Sequence, residues 1–454
     1  MSPRRWILLA FFVALPLANT LTLDVGFPVT MSHVFVLVLA ALQLREIHTG
    51  GMRLVWLPAT LFLAFCVIYA TSAIVNIGSA PTFEWATGRD APIIRSITKV
   101  LWLVGNVIAS VVVANEVRRQ HAGRAAMQAL VLGAVATSLY GFYQVVGQSH
   151  AFFVPLLPGT EFIDGTASFW IVPRAKSTFL EPSFFGAYLA VVLPFAMVCF
   201  AGVRATLLAT TAIMMGIVVT FSIAGWLSAA VGGLVLLGLM VGPHGLRWAG
   251  PFAAGGLAAM LIIFVSIPGM PRAVSAVIDK GTIASGSVLV GPQSGSPTPT
   301  QEIGGDPPEA AARSAAERVA TTQAAIAMFQ SRPVLGVGPG NFSFRYAEFR
   351  PKGTAEPDQL LIANNIYAEL LAEVGLLGFL AFLAAMGKLA LLTLHEVFRS
   401  IGPARSHLAA VTAALGALAA SLLVAPSFTI LYQWSMVGLG AALLIAHRAT
   451  PNSV

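Results

Sequence analysis

Three short stretches gather most of the side chains that can do chemistry together. The first is RAKSTFLEP, 174–182. A guanidinium at Arg174 presents a planar fork that matches phosphate oxygens, and the ammonium of Lys176 adds charge without that geometry. A carboxylate at Glu181 can take a proton from a hydroxyl. Arg174 and Lys176 together suit the holding of a lipid-linked phosphate at the outer interface, with Glu181 beside it. A plainer reading also fits. Glu181 precedes Pro182, which favours the first position of a helix, and a carboxylate there benefits from the helix dipole. Arg174 and Lys176 would then merely snorkel at an interface.

The second stretch is NNIYAELLAEVGLLGFL, 364–380. Asn365, Glu369 and Glu373 recur every four residues and share one helix face. A polar stripe entering an apolar segment should face protein or a water-filled cavity. Alternatively, the apolar span begins only near Gly375, and the glutamates stand in water before it. The third stretch, RVATTQAAIAMFQSRPVLGVGPGNF, runs from Arg318 to Phe342. Val319, Ala325 or Ile326, and Phe329 mark one apolar helix face, and Pro333 ends it. A GVGPG turn follows, then Arg345, Arg350 and Lys352 interleaved with aromatics such as Phe344 and Tyr346. The turn lacks the Gly-Lys-Ser/Thr of a nucleotide phosphate loop. A lone arginine such as Arg318 is ordinarily a solvated helix face.

These stretches are embedded in a very apolar chain. Of 454 residues, 57% are hydrophobic and 10% charged, and the mean hydropathy is +0.82. Soluble domains carry about 25% charged residues. The composition predicts an all-α polytopic membrane protein, since a β-barrel would show short alternating segments. About 20 apolar residues cross a bilayer, and twelve segments are expected to do so. They are 6–22, 31–44, 54–76, 97–115, 126–147, 178–201, 205–221, 225–242, 248–267, 366–394, 407–424 and 429–447. The N-terminus resembles a signal peptide, but its run leads straight into more apolar sequence, so an uncleaved first span is expected.

With both termini in the cytoplasm, Arg4, Arg5, Arg45, Arg53, Arg118, Arg119, Arg124, Arg204, Arg247, Arg399, Arg405 and Arg448 all fall inside. The short outer turns carry no Lys or Arg. This satisfies the positive-inside rule and accounts for the +7 net charge without nucleic acid. Sixteen of the nineteen acidic residues lie outside or at outer helix mouths, so chemistry is expected on the outer face. The organisation is then spans one to nine over 1–267, a large outer loop with short helices over 268–365, and spans ten to twelve over 366–454. Within the loop, a Gly-, Ser- and Pro-rich tract precedes the helix of Arg318. The eight histidines show no ligand spacing, so no metal and no cofactor are expected. Cys66 and Cys199 lie in apolar runs and suggest no disulfide framework.

Arg174 with STFLEPSFFGAYL, then ERVATTQAAIAMFQSRPVLGVGPGNF, then NNIYAELLAEVGLLGFL resemble the O-antigen ligase and polymerase superfamily. Arg318, Gly336, Gly338, Gly340, Asn341, Phe342, Asn365, Tyr367, Leu371, Glu373 and Gly375 match its loop signature over residues 170 to 380. The resemblance implies twelve spans with a periplasmic loop between the ninth and tenth, in a GT-C-like fold of the bacterial inner membrane. It implies an inverting, metal-independent glycosyltransferase whose donor is a glycan on undecaprenyl diphosphate. The expected partners are that donor, a glycan acceptor, the lipid bilayer and a chain-length regulator. Arg174 and Arg318 are expected to hold the diphosphate, with Glu181 as base. Lys176, Arg345, Asn364, Asn365, Tyr367 and Glu373 are expected to line the substrate.

Two departures separate this chain from the pattern. The histidine expected before Asn365 is Asn364, which cannot act as a base. The arginine usual after span seven, in a Ser-Arg-Gly-like turn, is missing from TFSIAGW, 220–226. Both lower the ligase expectation and favour a polymerase of O-antigen or exopolysaccharide type. A third reading is a flippase for lipid-linked glycans, but that would place polar groups near mid-membrane on paired broken helices.

Overall fold

The computed structural model describes residues 2–20, 22–24, 28–50, 54–82, 88, 91–158, 160, 173–240, 246–267, 307–352, 354, 360–424 and 427–449. The Gly- and Ser-rich tract expected in the large loop lies outside these residues. Among them, the chain forms α1 (Pro3–Ala14), a minimal hairpin of β1 (Leu23–Asp24) and β2 (Pro28–Val29), α2 (Met31–His48), α3 (Leu57–Val75), α4 (Pro92–Arg119) and α5 (Gly123–Ser149). It continues with α6 (Pro182–Val198), α7 (Val203–Val219), α8 (Ile223–Leu239) and α9 (Leu246–Ser266). The large loop contributes α10 (Pro307–Ser331) and α11 (Phe342–Phe349). Last come α12 (Ile366–Arg399), α13 (Gly402–Ser421) and α14 (Leu431–Ala449).

A helix occupies each of the twelve apolar segments expected from sequence. Five, α2, α3, α4, α5 and α12, are long and apolar enough to cross a membrane, and α6, α7 and α8 are shorter apolar helices. Their outward faces carry exposed Leu37, Leu63, Ile108, Leu132, Leu208, Leu234 and Leu391. Such surface is costly in water and not in lipid, so the chain is an integral membrane protein. The core is built where α6 packs on α8 and α13, α4 on α14, and α3 on α12. The α6–α8 crossing is tight. A Cβ on Gly225 would lie 2.9 Å from the Cα of Gly186, so only glycine permits this approach.

Two helix ends differ from expectation. Helix α1 stops at Ala14, not near 22, because Pro16 has no N–H to continue the ladder. The chain then runs to Asn19, whose N–H donates to Thr178 O at 2.9 Å, while Thr178 Oγ1 donates to Pro16 O at 2.5 Å. Helix α4 begins at Pro92, earlier than the expected 97, and so carries Arg95, Ser96 and Lys99 on its first turns.

Opposite ends of the bundle differ in charge logic. At one end the three acids assigned to the inner side are each paired with arginine. Arg4 forks onto Glu116 at 2.6 and 2.7 Å and reaches Glu46 at 2.8 Å; Arg119 also pairs with Glu46, and Arg448 reaches Glu396 at 2.8 Å. At the other end lie the ends of α3, α7 and α13 and the starts of α4, α6, α8, α12 and α14. The three stretches singled out by chemistry all meet there.

Candidate functional site

The site end is organised by a break in α12. Gly375 takes φ 64° and ψ −168°, a conformation essentially restricted to glycine, between two helical halves. The break frees backbone groups that the loop then uses. Val337 N–H donates to Ala372 O at 2.8 Å, Gly338 N–H to Glu373 O at 2.9 Å, and Leu376 N–H to Pro333 O at 2.8 Å. The loop backbone runs so close that a Cβ on Gly336 would meet Glu373 O at 2.6 Å, and one on Gly375 would meet Val334 O at 2.4 Å. The end of α3 completes the seam: Ser72 Oγ donates to Leu335 O at 2.6 Å, Asn76 holds Gly336 O at 3.3 Å, and Asn76 Oδ1 accepts from Arg332.

The glutamates of the stripe face inward. Glu369 is 5% exposed and Glu373 1%, so the alternative of glutamates standing in water does not hold. Their partner is Lys99 of α4. Its Nζ lies 2.8 Å from Glu369 Oε1 and 3.1 Å from both oxygens of Glu373. Glu373 Oε1 also accepts the N–H of Gly340 at 2.8 Å and, more distantly, of Phe342 at 3.4 Å. Ser96 Oγ donates to Pro339 O at 2.6 Å. The Gly-Pro-Gly turn is therefore clamped between α4 and the first half of α12.

The second cluster assembles from distant segments. Ala175 N–H donates to Val219 O at 2.8 Å and Arg174 Nε to Thr220 O at 3.0 Å, tying the 174–181 stretch to the α7–α8 turn. Both partners of this joint carry a non-glycine residue in left-handed backbone, Ser177 at φ 51° and Phe221 at φ 47°. For a bulky buried residue such as Phe221 this is real strain, and it lies one residue from the carbonyl that Arg174 grips. Glu181 takes the N-cap position of α6 ahead of Pro182, as its sequence predicts, without a side-chain capping bond; it is exposed and accepts from Ser183 Oγ at 2.9 Å. Arg318, on α10, donates to Val424 O at 3.4 Å, just past α13.

Arg174, Arg318 and Glu181 feel one another electrostatically. Desolvation pushes the Arg174 guanidinium down to about 10, the charge of Arg318 adds to the shift, and Glu181 opposes it. Desolvation likewise lowers Arg318, against the pull of Glu181 and Glu317. Two partly desolvated guanidiniums that disfavour one another's charge gain when an anion settles between them.

Residues 208–383 match the family described as O-antigen ligase. This segment is an O-antigen ligase family domain. Members of that family are glycan-transferring enzymes. No curated protein matches the chain. The O-antigen ligase match runs from α7 past the break in α12, so it contains Arg318, the Gly-Pro-Gly turn and the glutamate stripe. Arg174, Glu181, Ser72, Asn76 and Lys99 lie before it. The O-antigen ligase domain is thus braced by helices outside its own boundaries.

The remaining expected residues fall around this frame. Asn365 caps α12, its Oδ1 accepting from Tyr367 N–H at 3.0 Å and Ala368 N–H at 3.2 Å. Asn364 is half-buried in the bend before it. Tyr367 donates through its hydroxyl to Ala419 O at 2.9 Å. Lys176 is half-buried two residues beyond Arg174. Arg345 pairs with Glu348 at 3.1 Å and covers the Phe349 ring. Phe344 and Tyr346 are 0% and 3% exposed: Tyr346 packs with Met328, Phe342 and Ala372 where the loop meets α12, and Phe344 packs against Ala80 beyond α3. Sequence reasoning missed Lys99, Ser72, Asn76 and Ser96. One signal was present: two glutamates entering an apolar span require a cation. Among the described residues, no group of His, Cys, Asp and Glu is arranged to hold a metal ion.

Proposed function

We propose that the protein is an inverting glycosyltransferase of the bacterial inner membrane. It polymerises undecaprenyl-diphosphate-linked repeat units at the periplasmic face, with both termini in the cytoplasm and twelve spans in a GT-C-like arrangement. The observation that carries this reading is the convergence of Arg174 and Glu181, from the stretch before α6, with Arg318 of α10 at one end of the bundle. Arg174 and Arg318 neutralise the departing diphosphate, whose charge grows as the glycosidic bond breaks. Glu181, exposed at the mouth of α6, takes the proton of the acceptor hydroxyl as it attacks from the opposite face. Lys176 adds charge at the entrance. Asn364, Asn365, Tyr367, Glu373 and Arg345 shape the surrounding wall, and Glu373 does so by fixing the Gly-Pro-Gly turn. The mechanism asks for no metal, because the arginines supply the charge. A chain-length regulator would act on the emerging polymer.

Polymerisation is favoured over ligation by two positions. Asn364 stands where the family pattern has a histidine. Phe221 and its neighbours supply no arginine to the turn that Arg174 grips. The description of the matched family favours ligation as the second reading. Deletion of the gene separates them. Loss of a polymerase leaves single repeat units on the final acceptor, and loss of a ligase leaves none. Complementation at matched protein level then tests the site. Arg174→Ala and Glu181→Gln are expected to abolish long chains, and Lys176→Ala to retain them. Full-length polymer from both Arg174→Ala and Glu181→Gln would remove the proposed site.

A further inference from the structure

A cavity of about 210 Å³ opens at the same end of the bundle, beside the arginine cluster. Four elements wall it: the chain after α1 (Ala18, Asn19), the start of α2 (Thr30, Ser32, His33), Trp102 of α4, and the chain entering α14 (Thr429 to Tyr432). No function above uses it.

Its walls are fixed. Asn106 donates to both Trp102 O and Thr429 O at 2.9 Å, locking α4 to the segment before α14. Tyr432 is fully packed, edge-on to Tyr188 of α6 with ring centroids 5.2 Å apart. Two walls are shared with the arginine cluster. Asn19 bonds Thr178 within the 174–181 stretch, and Arg318 bonds Val424 on the turn that leads to Thr429. The cavity is thus tied to the arginine cluster through two of its own walls.

The lining is chemically mixed in a specific way. His33 Nδ1 accepts the backbone N–H of Thr30 at 3.2 Å and lies 2.7 Å from Thr30 Oγ1. An Nδ1 that accepts a backbone N–H carries no proton, so the neutral ring bears its proton on Nε2. Nε2 bonds to no atom among the described residues and remains a donor. Trp102 stands edge-on to that ring at 5.3 Å and offers an aromatic wall. The hydroxyls of Thr30, Ser32 and Thr429 bond within the wall, Thr30 to Ser32 and Thr429 to Ser427, and keep lone pairs that can accept. A flat apolar surface ringed by neutral hydrogen-bonding groups, with no net charge, suits a sugar ring: the C–H face packs on the indole and the hydroxyls meet the rim. The space holds one ring rather than an oligosaccharide. Among the described lining residues there is no Lys or Arg to hold a phosphate.

We propose that this cavity is a subsite for a single neutral pyranose of the glycan substrate, stacked on Trp102 with the His33 Nε2–H donating to a ring hydroxyl. The proposal rests on the glycan-transfer reading, and the sugar can belong to the donor or to the acceptor.

The test needs no turnover. Saturation-transfer NMR on the purified full-length protein in micelles would use methyl glycosides of glucose, galactose, mannose and N-acetylglucosamine. At least one glycoside is expected to receive saturation through its ring protons. Trp102→Ala should weaken its binding on the order of tenfold, the size of a lost aromatic contact. Ala18→Phe, which fills the cavity and leaves Trp102 in place, should remove the signal while thermal stability is kept. His33→Gln should weaken binding less. Farnesyl diphosphate, which has no sugar, should leave the glycoside bound. Farnesyl diphospho-N-acetylglucosamine displaces the glycoside if the subsite serves the donor and leaves it if the subsite serves the acceptor. Absence of signal from all four glycosides, an unchanged signal in Ala18→Phe, or displacement by the headgroup of phosphatidylglycerol overturns the proposal. Equal farnesyl diphosphate binding by the wild type and Arg174→Ala would instead sink the reading of the arginine cluster, and the glycoside result would stand apart from it.

Discussion

The ammonium of Lys99 sits 3.1 Å from each carboxylate oxygen of Glu373, joining the first turns of α4 to the last turn before the break in α12. Through Glu373 it also reaches the Gly340 amide of the Gly-Pro-Gly turn. This ion pair, shared with Glu369, holds the loop on the bundle.

Removing Lys99 leaves two buried carboxylates facing each other. Lys99→Met is expected to destabilise the protein by about 3–5 kcal/mol, the cost of stranding buried charge. Adding Glu369→Gln and Glu373→Gln to that variant should recover much of the loss, because neutral amides strand no charge. Thermal unfolding in detergent, followed by light scattering, reads both outcomes. A triple variant no better than Lys99→Met would contradict the assignment.

The break in α12 makes a separate prediction. Gly375→Ala places a Cβ against Val334 and forces alanine into glycine-only backbone, and Gly336→Ala strikes Glu373 in the same seam. Each should cost on the order of 2–5 kcal/mol. Limited proteolysis should then cut between α10 and α11 first, since the seam is what pins that segment.

Alanine at Gly387, on the same α12, meets nothing within 4 Å and serves as the control.

The Arg174 guanidinium is held down to about 10 by desolvation and by Arg318. Its charge is complete at neutral pH and is lost only as the pH climbs through that value. Once the diphosphate has lost its last proton, at about pH 6 to 7, binding of farnesyl diphosphate should therefore be level and then fall as pH approaches about 10, with a smaller alkaline fall in Arg174→Ala. An equal fall in the variant would place the titrating group elsewhere.

Topology is open to direct measurement. In a background lacking Cys66 and Cys199, a cysteine at Ser296 should react with an impermeant reagent in intact spheroplasts, and one at Gln120 should not. The expectation follows from the one orientation that puts every arginine of the short loops inside. The reverse pattern would invert the protein and move the arginine cluster to the cytoplasm.

The helices were legible because apolar length and period report them directly. What was not legible shares a cause. Gly375 lies in VGLLGFL, where a second glycine, Gly378, stays within the helix, so the sequence does not mark which glycine breaks it. Lys99 sits two residues into an expected span, and its partners are 270 and 274 residues away, which no periodicity reports. Arg174, Glu181 and Arg318 were legible as chemistry and not as neighbours. Their meeting depends on the joint between residues 175 and 219 and on a strained Phe221 that looks ordinary in sequence.

The separation of Lys99 from its glutamates also bears on how the protein is made. Ribosomes add about 5–20 residues per second, so α4 emerges on the order of tens of seconds before α12. Throughout that interval a lysine near a membrane boundary has no counter-charge, and Ser72, Ser96 and Asn76 have no loop to bond. The N-terminal helices are an unfinished half-socket awaiting its plug. A nascent chain arrested before Ile366 should be held by the insertion machinery or degraded, whereas one arrested after Arg399 should persist. Assembly of this site is a late event in the birth of the protein, however early its first residues enter the membrane.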